Sequence, residues 1–169
     1  MADNYDQLAL KWVREEVNKT LDQARQSLEA FAENPEDYTP IGFCVSCLHQ
    51  VRGTLQMLEF FGAALFAEEM EALADAVSQG RVKQAPRAME ILMGAILQLP
   101  TYLERVQAGQ KDLPLLLLPL LNDLRAARGE TLLSESAIFS PNLVGVQVPH
   151  QAAAPDQQHS DEAEPTEGG

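Results

Sequence analysis

Residues Cys44 to Ala74 read CVSCLHQVRGTLQMLEFFGAALFAEEMEALA, and their spacing decides the fold. Apolar residues recur every three or four positions, the period of a helix face, which predicts two consecutive helices. His49 falls in the middle of the first, with Arg52 and Gly53 about one turn further on. A glycine inside a helix costs about 1 kcal/mol relative to alanine, so Gly53 needs a reason. Docking of another protein's active site at His49 supplies one, because a missing side chain one turn away leaves room for it.

Thr39-Pro40 starts the first of these helices, with a hydroxyl as N-cap and proline in the first turn, and the pattern runs to about Phe61. Cys44, Leu48, Val51, Leu55 and Leu58 form its buried seam. His49 lies about 100° around the helix from Leu48, at the edge of that seam, with Gly53 and Phe60 on the same exposed strip. Gly62 punctuates the chain. The second helix spans about Ala63 to Ser78, turns Phe66, Met70, Leu73 and Val77 inward, and ends at Gly80.

Upstream, Asp3 or Asn4 caps a helix from about Tyr5 to Ala32, with an apolar stripe of Leu10, Val13, Val17, Leu21, Ala24, Leu28 and Phe31, stopped by Glu33, Asn34 and Pro35. Downstream, Pro86 opens a fourth helix, with Met89, Met93, Ile96, Leu99 and Leu103 inward, a kink at Pro100 and an end at Gly109. A fifth opens at Leu113-Pro114, contains Pro119 and ends at Gly129. It is apolar nearly all round before Asn122, so something covers it. Residues 131–148 read as an irregular segment anchored by Leu132, Leu133, Ile138, Phe139 and Leu143. The residues point to an all-α helical bundle in one domain, 1–148, with a core of about 5–109, an extra docked helix of about 113–128 and the irregular segment. Beyond Pro149 no apolar residue exceeds alanine and no Lys or Arg occurs. Residues 149–169 therefore read as a disordered acidic linker, as if the chain were a piece of a longer protein.

A net charge of −13 argues against nucleic acid or an anionic membrane surface as partner and favours a neutral or basic protein. No signal peptide is visible at the N-terminus, and the longest apolar run, Leu113 to Leu121, is too short to span a bilayer. Cys44 and Cys47 lie three apart, without the dispersed spacing of a disulfide framework. The expectation is a reduced, cytoplasmic protein. A zinc site would need two further ligands, and only His49, His150 and His159 exist. A redox C-x-x-C would need a preceding strand. Helix packing is the expected role of both cysteines, Cys44 on the seam and Cys47 to its side, and no metal or cofactor is expected.

His49 carries the candidate chemistry. A neutral imidazole is nucleophilic near pH 7, since its usual pKa is about 6.5, and an exposed one is a good phosphoryl acceptor. Glu68 or Glu71 on the next helix could hold one ring nitrogen and leave the other free, and Arg52 could offset phosphoryl charge. The rest of the EEMEALAD run reads as a solvated face. The plainer alternative is a surface histidine on a helix.

His49 to Thr54, H-Q-V-R-G-T, resembles the H-x-x-K-G-S/T signature of histidine phosphotransfer (HPt) domains. The five-helix pattern is similar to the N-terminal HPt domain of CheA-type chemotaxis kinases. CLHQVRGTLQMLE, GAALFAEEMEALA and LLNDLRAARGETLLSESAIFSPNL extend the likeness, over most of Leu8 to Leu143, to the CheA-like hybrid sensor kinases of type IV pilus twitching-motility systems. The resemblance implies an antiparallel four-helix bundle, with His49 as phosphoacceptor, Glu71 orienting it and Arg52 in place of the usual Lys. It also implies Gly53 as the clearance position and Thr54 as the small polar residue; Gln56 and Phe60 are further candidate binding residues. Leu55 departs from the small residue often found after the signature. The partners implied are a response-regulator receiver domain and a kinase ATP-binding domain, with pilus-pole scaffold proteins as further candidates. The expected function is phosphotransfer within a two-component kinase, the chain not being an enzyme alone. A related pilus regulatory protein shares the region without the histidine. It points to the alternative, a docking module that binds a response regulator or a polar pilus scaffold without chemistry.

Overall fold

A computed structural model describes residues 2–138, with side chains from residue 8 onward. Helix α1 is Ala2–Glu33, α2 Thr39–Met57, α3 Phe61–Ser78 and α4 Ala85–Gln107. A 3-10 turn, Pro114–Leu117, leads into α5, Leu118–Ala127, and α6, Glu135–Ile138, follows. No strand occurs among the described residues. Phe139, Leu143 and the expected 149–169 linker lie outside them.

Short connections force consecutive helices to lie side by side and antiparallel. Helix α2 packs between α1 and α3, and α4 closes the ring against both α3 and α1. Helix α5 then lies across α3 and α4, with the 3-10 turn against α3 and α6 against that turn. The core is aliphatic: Leu21, Leu28, Leu48, Leu55, Met70, Leu73, Leu92 and Leu99 are sealed around Phe66. Each such side chain contributes about 1.5–3 kcal/mol on leaving water. No described helix is long and apolar enough to cross a membrane.

The stripe expected on α1 is buried from Val17 to Phe31, while Leu10 and Val13 are half-buried. Of the α2 seam, Cys44, Leu48, Val51 and Leu55 are buried, and Leu58 has already left the helix. Cys47, expected to the side, is buried too. On α4 the inward line runs through Ala88, Leu92, Ala95, Ile96 and Leu99, and Met89 and Met93 only flank it. The smaller Ala88 and Ala95 let neighbouring helices approach, and the flexible methionines fill the edge.

Several helix boundaries differ from expectation, each for a local reason. Helix α1 begins at Ala2 rather than Tyr5. At the start of α2 the Thr39 hydroxyl makes no cap; the Thr39 N–H donates instead to Asp37 Oδ1 at 3.1 Å. Helix α2 ends at Met57, four residues early, because Glu59 adopts a left-handed conformation with φ 62° and the Phe60 N–H turns back to Leu55 O. Gly62 is therefore not the break; it sits in the first turn of α3. Pro100 lies inside an uninterrupted α4. The expected fifth helix is split, since Pro119 has no N–H to give to Leu115 and the segment before it tightens into the 3-10 turn.

Candidate functional site

His49 projects from the middle of α2 with 63% of its side chain exposed. Leu48 and Val51 anchor the helix in the core on either side of it, so the ring's base is rigid while its tip meets solvent. From α3, Glu71 reaches across: its Oε1 lies 2.8 Å from His49 Nδ1. With Nδ1–H donating to the carboxylate, the neutral ring keeps its lone pair on Nε2. The second oxygen, Oε2, stands 3.1 Å from Arg52 Nη1. The contact is at ion-pair distance but misaligned for hydrogen bonding, and both Glu71 Oε2 and Arg52 Nε are buried without a hydrogen-bond partner among the described residues. One carboxylate thus bridges two α2 side chains, three residues apart, from a neighbouring helix.

The expected strip divides. Gly53 is open: a Cβ placed there would meet nothing within 4 Å among the described residues, so no contact with them demands glycine. Thr54 donates its hydroxyl to Gln50 O at 3.0 Å, a bond within its own helix. Gln56 is exposed two turns from His49. Phe60 does not belong to the strip; it lies in the α2–α3 turn, half-buried against the core. Glu68 is exposed, so Glu71 is the carboxylate that meets the histidine.

Two polar arrangements escaped the sequence reading. Glu69, taken as part of a solvated face, is buried and held by Arg125 Nη1 at 2.7 Å and Arg128 Nη2 at 2.9 Å. This clamp ties the end of α5 to α3. Asp112, in the connection after α4, accepts the N–H groups of Gly62 and Ala63 and the Tyr102 hydroxyl. Burial, reinforced by Asp112, pushes the Tyr102 phenol above its usual range. Glu69 lies 56 and 59 residues from its arginines and Asp112 50 and 49 from the amides it caps, so local periodicity carries no signal of either.

The thiols are poor nucleophiles here. Burial pushes the Cys44 thiol up to about 12, helped by Cys47, and raises Cys47 too. Among the described residues no group of three or more His, Cys, Asp or Glu side chains could hold a metal ion, and His150 and His159 fall outside them.

The family model of the FimL C-terminal domain matches residues 5–119, which span α1 to α4 and the 3-10 turn. The chain is 38% identical over 135 residues to the scaffold protein FimL of Pseudomonas aeruginosa, a match covering 80% of this chain and 24% of that relative. The chain thus spans about a quarter of the length of the curated relative it matches. No solved structure matches. These findings overturn the resemblance to a CheA-like HPt kinase domain, and with it the expected phosphotransfer function and its place in a histidine kinase. The matching family is not that of the kinase, and the similar protein is a scaffold. The likeness rested on the six-residue signature and on three longer stretches, and the same region, residues 5–119, is matched by the FimL C-terminal domain instead.

Proposed function

The chain belongs to the FimL C-terminal domain family, and from that premise we propose that it is a non-catalytic docking module of a scaffold. Its docking face is the outer strip of α2 through His49, Gly53 and Gln56, and its partner is a response-regulator receiver domain or another pilus-regulatory protein at the cell pole. The observation that carries this reading is Gly53. It costs helix stability, and none of the described residues occupies the space its side chain would fill. A partner surface resting on bare backbone accounts for that cost. Glu71 positions His49 and Arg52 beside the gap as polar contacts. The charge of −13 favours a neutral or basic contact surface on the partner.

The test is binding of the full chain to purified receiver domains and pole-localised pilus regulators of its source organism, with Gly53→Arg beside the wild type. The expected result is a bound partner whose affinity falls about tenfold or more in the variant, at a melting temperature no lower than that of the wild type. Equal affinity in the two proteins, or no binding to any of these partners, overturns the reading.

A further inference from the structure

The chain carries its sulfur in 2 cysteines and 5 methionines, and packing shelters all but one of those among the described residues. Cys44 and Met70 are sealed in the core and Cys47 is 3% exposed. Met89 and Met93 are half-buried against the core. Met57 is the exception: 85% of it meets solvent, more than any other large apolar side chain among the described residues. Met1 lies outside them.

The exposure has a local cause. Met57 is the last residue of α2, and the left-handed Glu59 takes the chain away from the helix axis, so no further turn of α2 stands beside the side chain. Its place is on the docking strip. Met57 follows Gly53 by four residues, about 40° around the helix and one turn along it. It does not fill the gap there, because a Cβ at Gly53 would meet nothing within 4 Å among the described residues.

The strip thus pairs a bare stretch of backbone with a freely projecting thioether. A flexible, polarisable side chain can mould itself to a surface that rests on that backbone. It is also an apolar contact that oxidation abolishes, since the sulfoxide is polar and chiral. Susceptibility to oxidants follows access, so the packing of the other described sulfurs directs the chemistry to Met57.

We propose that Met57 is an oxidation site through which a peroxide switches the α2 docking strip off. The inference rests on the docking reading of that strip. The thioether lone pair attacks one peroxide oxygen, the S–O bond forms as the O–O bond breaks, and the proton on that oxygen leaves with the displaced hydroxide as water. Sulfur gives up two electrons and the peroxide takes them. The fold survives, because the site is exposed. Two thiols, delivered by a methionine sulfoxide reductase, reverse the step: they become a disulfide and the oxygen leaves as water.

The experiment treats the full chain with hydrogen peroxide, follows each methionine by peptide mass mapping, and measures affinity for the partner of the untreated chain before and after. Met57 should gain one oxygen about fivefold or more faster than Met70, Met89 and Met93, at an unchanged melting temperature. The singly oxidised chain should bind about tenfold or more weakly. Met57→Leu, which has no thioether at that position, should bind equally before and after treatment, whatever its starting affinity. Three results overturn the proposal: Met57 oxidising no faster than Met89 or Met93, an oxidised chain that binds as before, or a Met57→Leu variant that peroxide still weakens. An untreated chain that binds no partner overturns the docking reading and the switch with it, whereas binding that peroxide leaves untouched overturns the switch alone.

Discussion

Asp112 caps α3 from a residue 50 positions further along the chain: its Oδ2 accepts the Gly62 N–H at 2.9 Å. Oδ1 takes the Ala63 N–H at 3.1 Å, so two free amides of the α3 N-terminus are satisfied by a carboxylate that also favours the positive end of the helix dipole. The approach is close because residue 62 has no side chain. A Cβ there would stand 2.5 Å from Asp112 Oδ1 and 3.1 Å from Pro114 Cδ. Gly62→Ala should therefore destabilise the fold by about 1–3 kcal/mol, and Asp112→Ala by about 1–2 kcal/mol through the lost cap. Urea unfolding of both variants checks this, and a neutral Gly62→Ala would mean that the carboxylate is free to move away.

Glu59 offers the opposite case. It occupies a left-handed turn with φ 62°, a conformation that costs a residue with a Cβ about 1 kcal/mol. Glu59→Gly should stabilise the protein by up to about 1 kcal/mol, read as a rise in the urea midpoint with an unchanged slope. A fall would show that the Glu59 side chain makes a contact that outweighs the strain.

The Glu69 clamp should govern how firmly α5 is held. Its carboxylate is 6% exposed and the two arginines 18% and 19%, so removing the acid leaves Arg125 poorly solvated and without its carboxylate, and Arg128 with Glu130 as its remaining ion pair. Glu69→Ala should cost about 2–4 kcal/mol. Amide exchange should rise most in α5 and the segment after it, because Asn122 ties Leu133 to the same helix by two hydrogen bonds. Unchanged protection in α5 would show that Leu117, Leu121 and Leu124 hold the helix without the clamp.

Around His49 the expectation is divided by residue. His49→Gln should leave the unfolding free energy within about 0.5 kcal/mol, since the ring is exposed. Gly53→Ala should add about 1 kcal/mol, because the new methyl meets nothing. Thermal melts of the two variants give the answer, and a large loss in either would place that residue in the packing of the bundle.

Alkaline pH should destabilise the protein in a defined window. Burial raises the Cys44 thiol from 9.0 to about 12, and Cys47 and Tyr102 move in the same direction. A raised acid is kept neutral by the fold, so the stability it contributes is complete below the unfolded value near 9. It declines as pH rises toward 12, where the unfolded chain ionises first. The urea midpoint should hold up to about pH 9 and drop above it, and neither thiol should react quickly with a disulfide reagent until the protein unfolds. Rapid labelling of native protein at pH 8 would contradict the burial of the pair.

What could be read locally was read from near neighbours. The stripe from Val17 to Phe31, the seam from Cys44 to Leu55, the inward set of α3 and the glycines closing α3, α4 and α5 at positive φ all follow from helical period and backbone preference. So does the exposure of His49, one step around from buried Leu48. The use made of that exposed histidine was not legible there: the likeness read from the signature and the longer stretches pointed to a kinase domain, and the matching family and relative are those of a scaffold.

Packing between distant segments settled the remainder. Glu69 and Glu71 lie two residues apart in one acidic run, yet one is buried under arginines 56 and 59 residues away and the other faces His49 on the neighbouring helix. The same holds for Gly62, whose meaning depends on Asp112, and for Ala88 and Leu92 displacing Met89 and Met93 from the centre of the core. The helical period assigns a side chain to a face. Which neighbour arrives at that face, and whether it brings charge, carbon or solvent, is decided only when the chain has closed on itself.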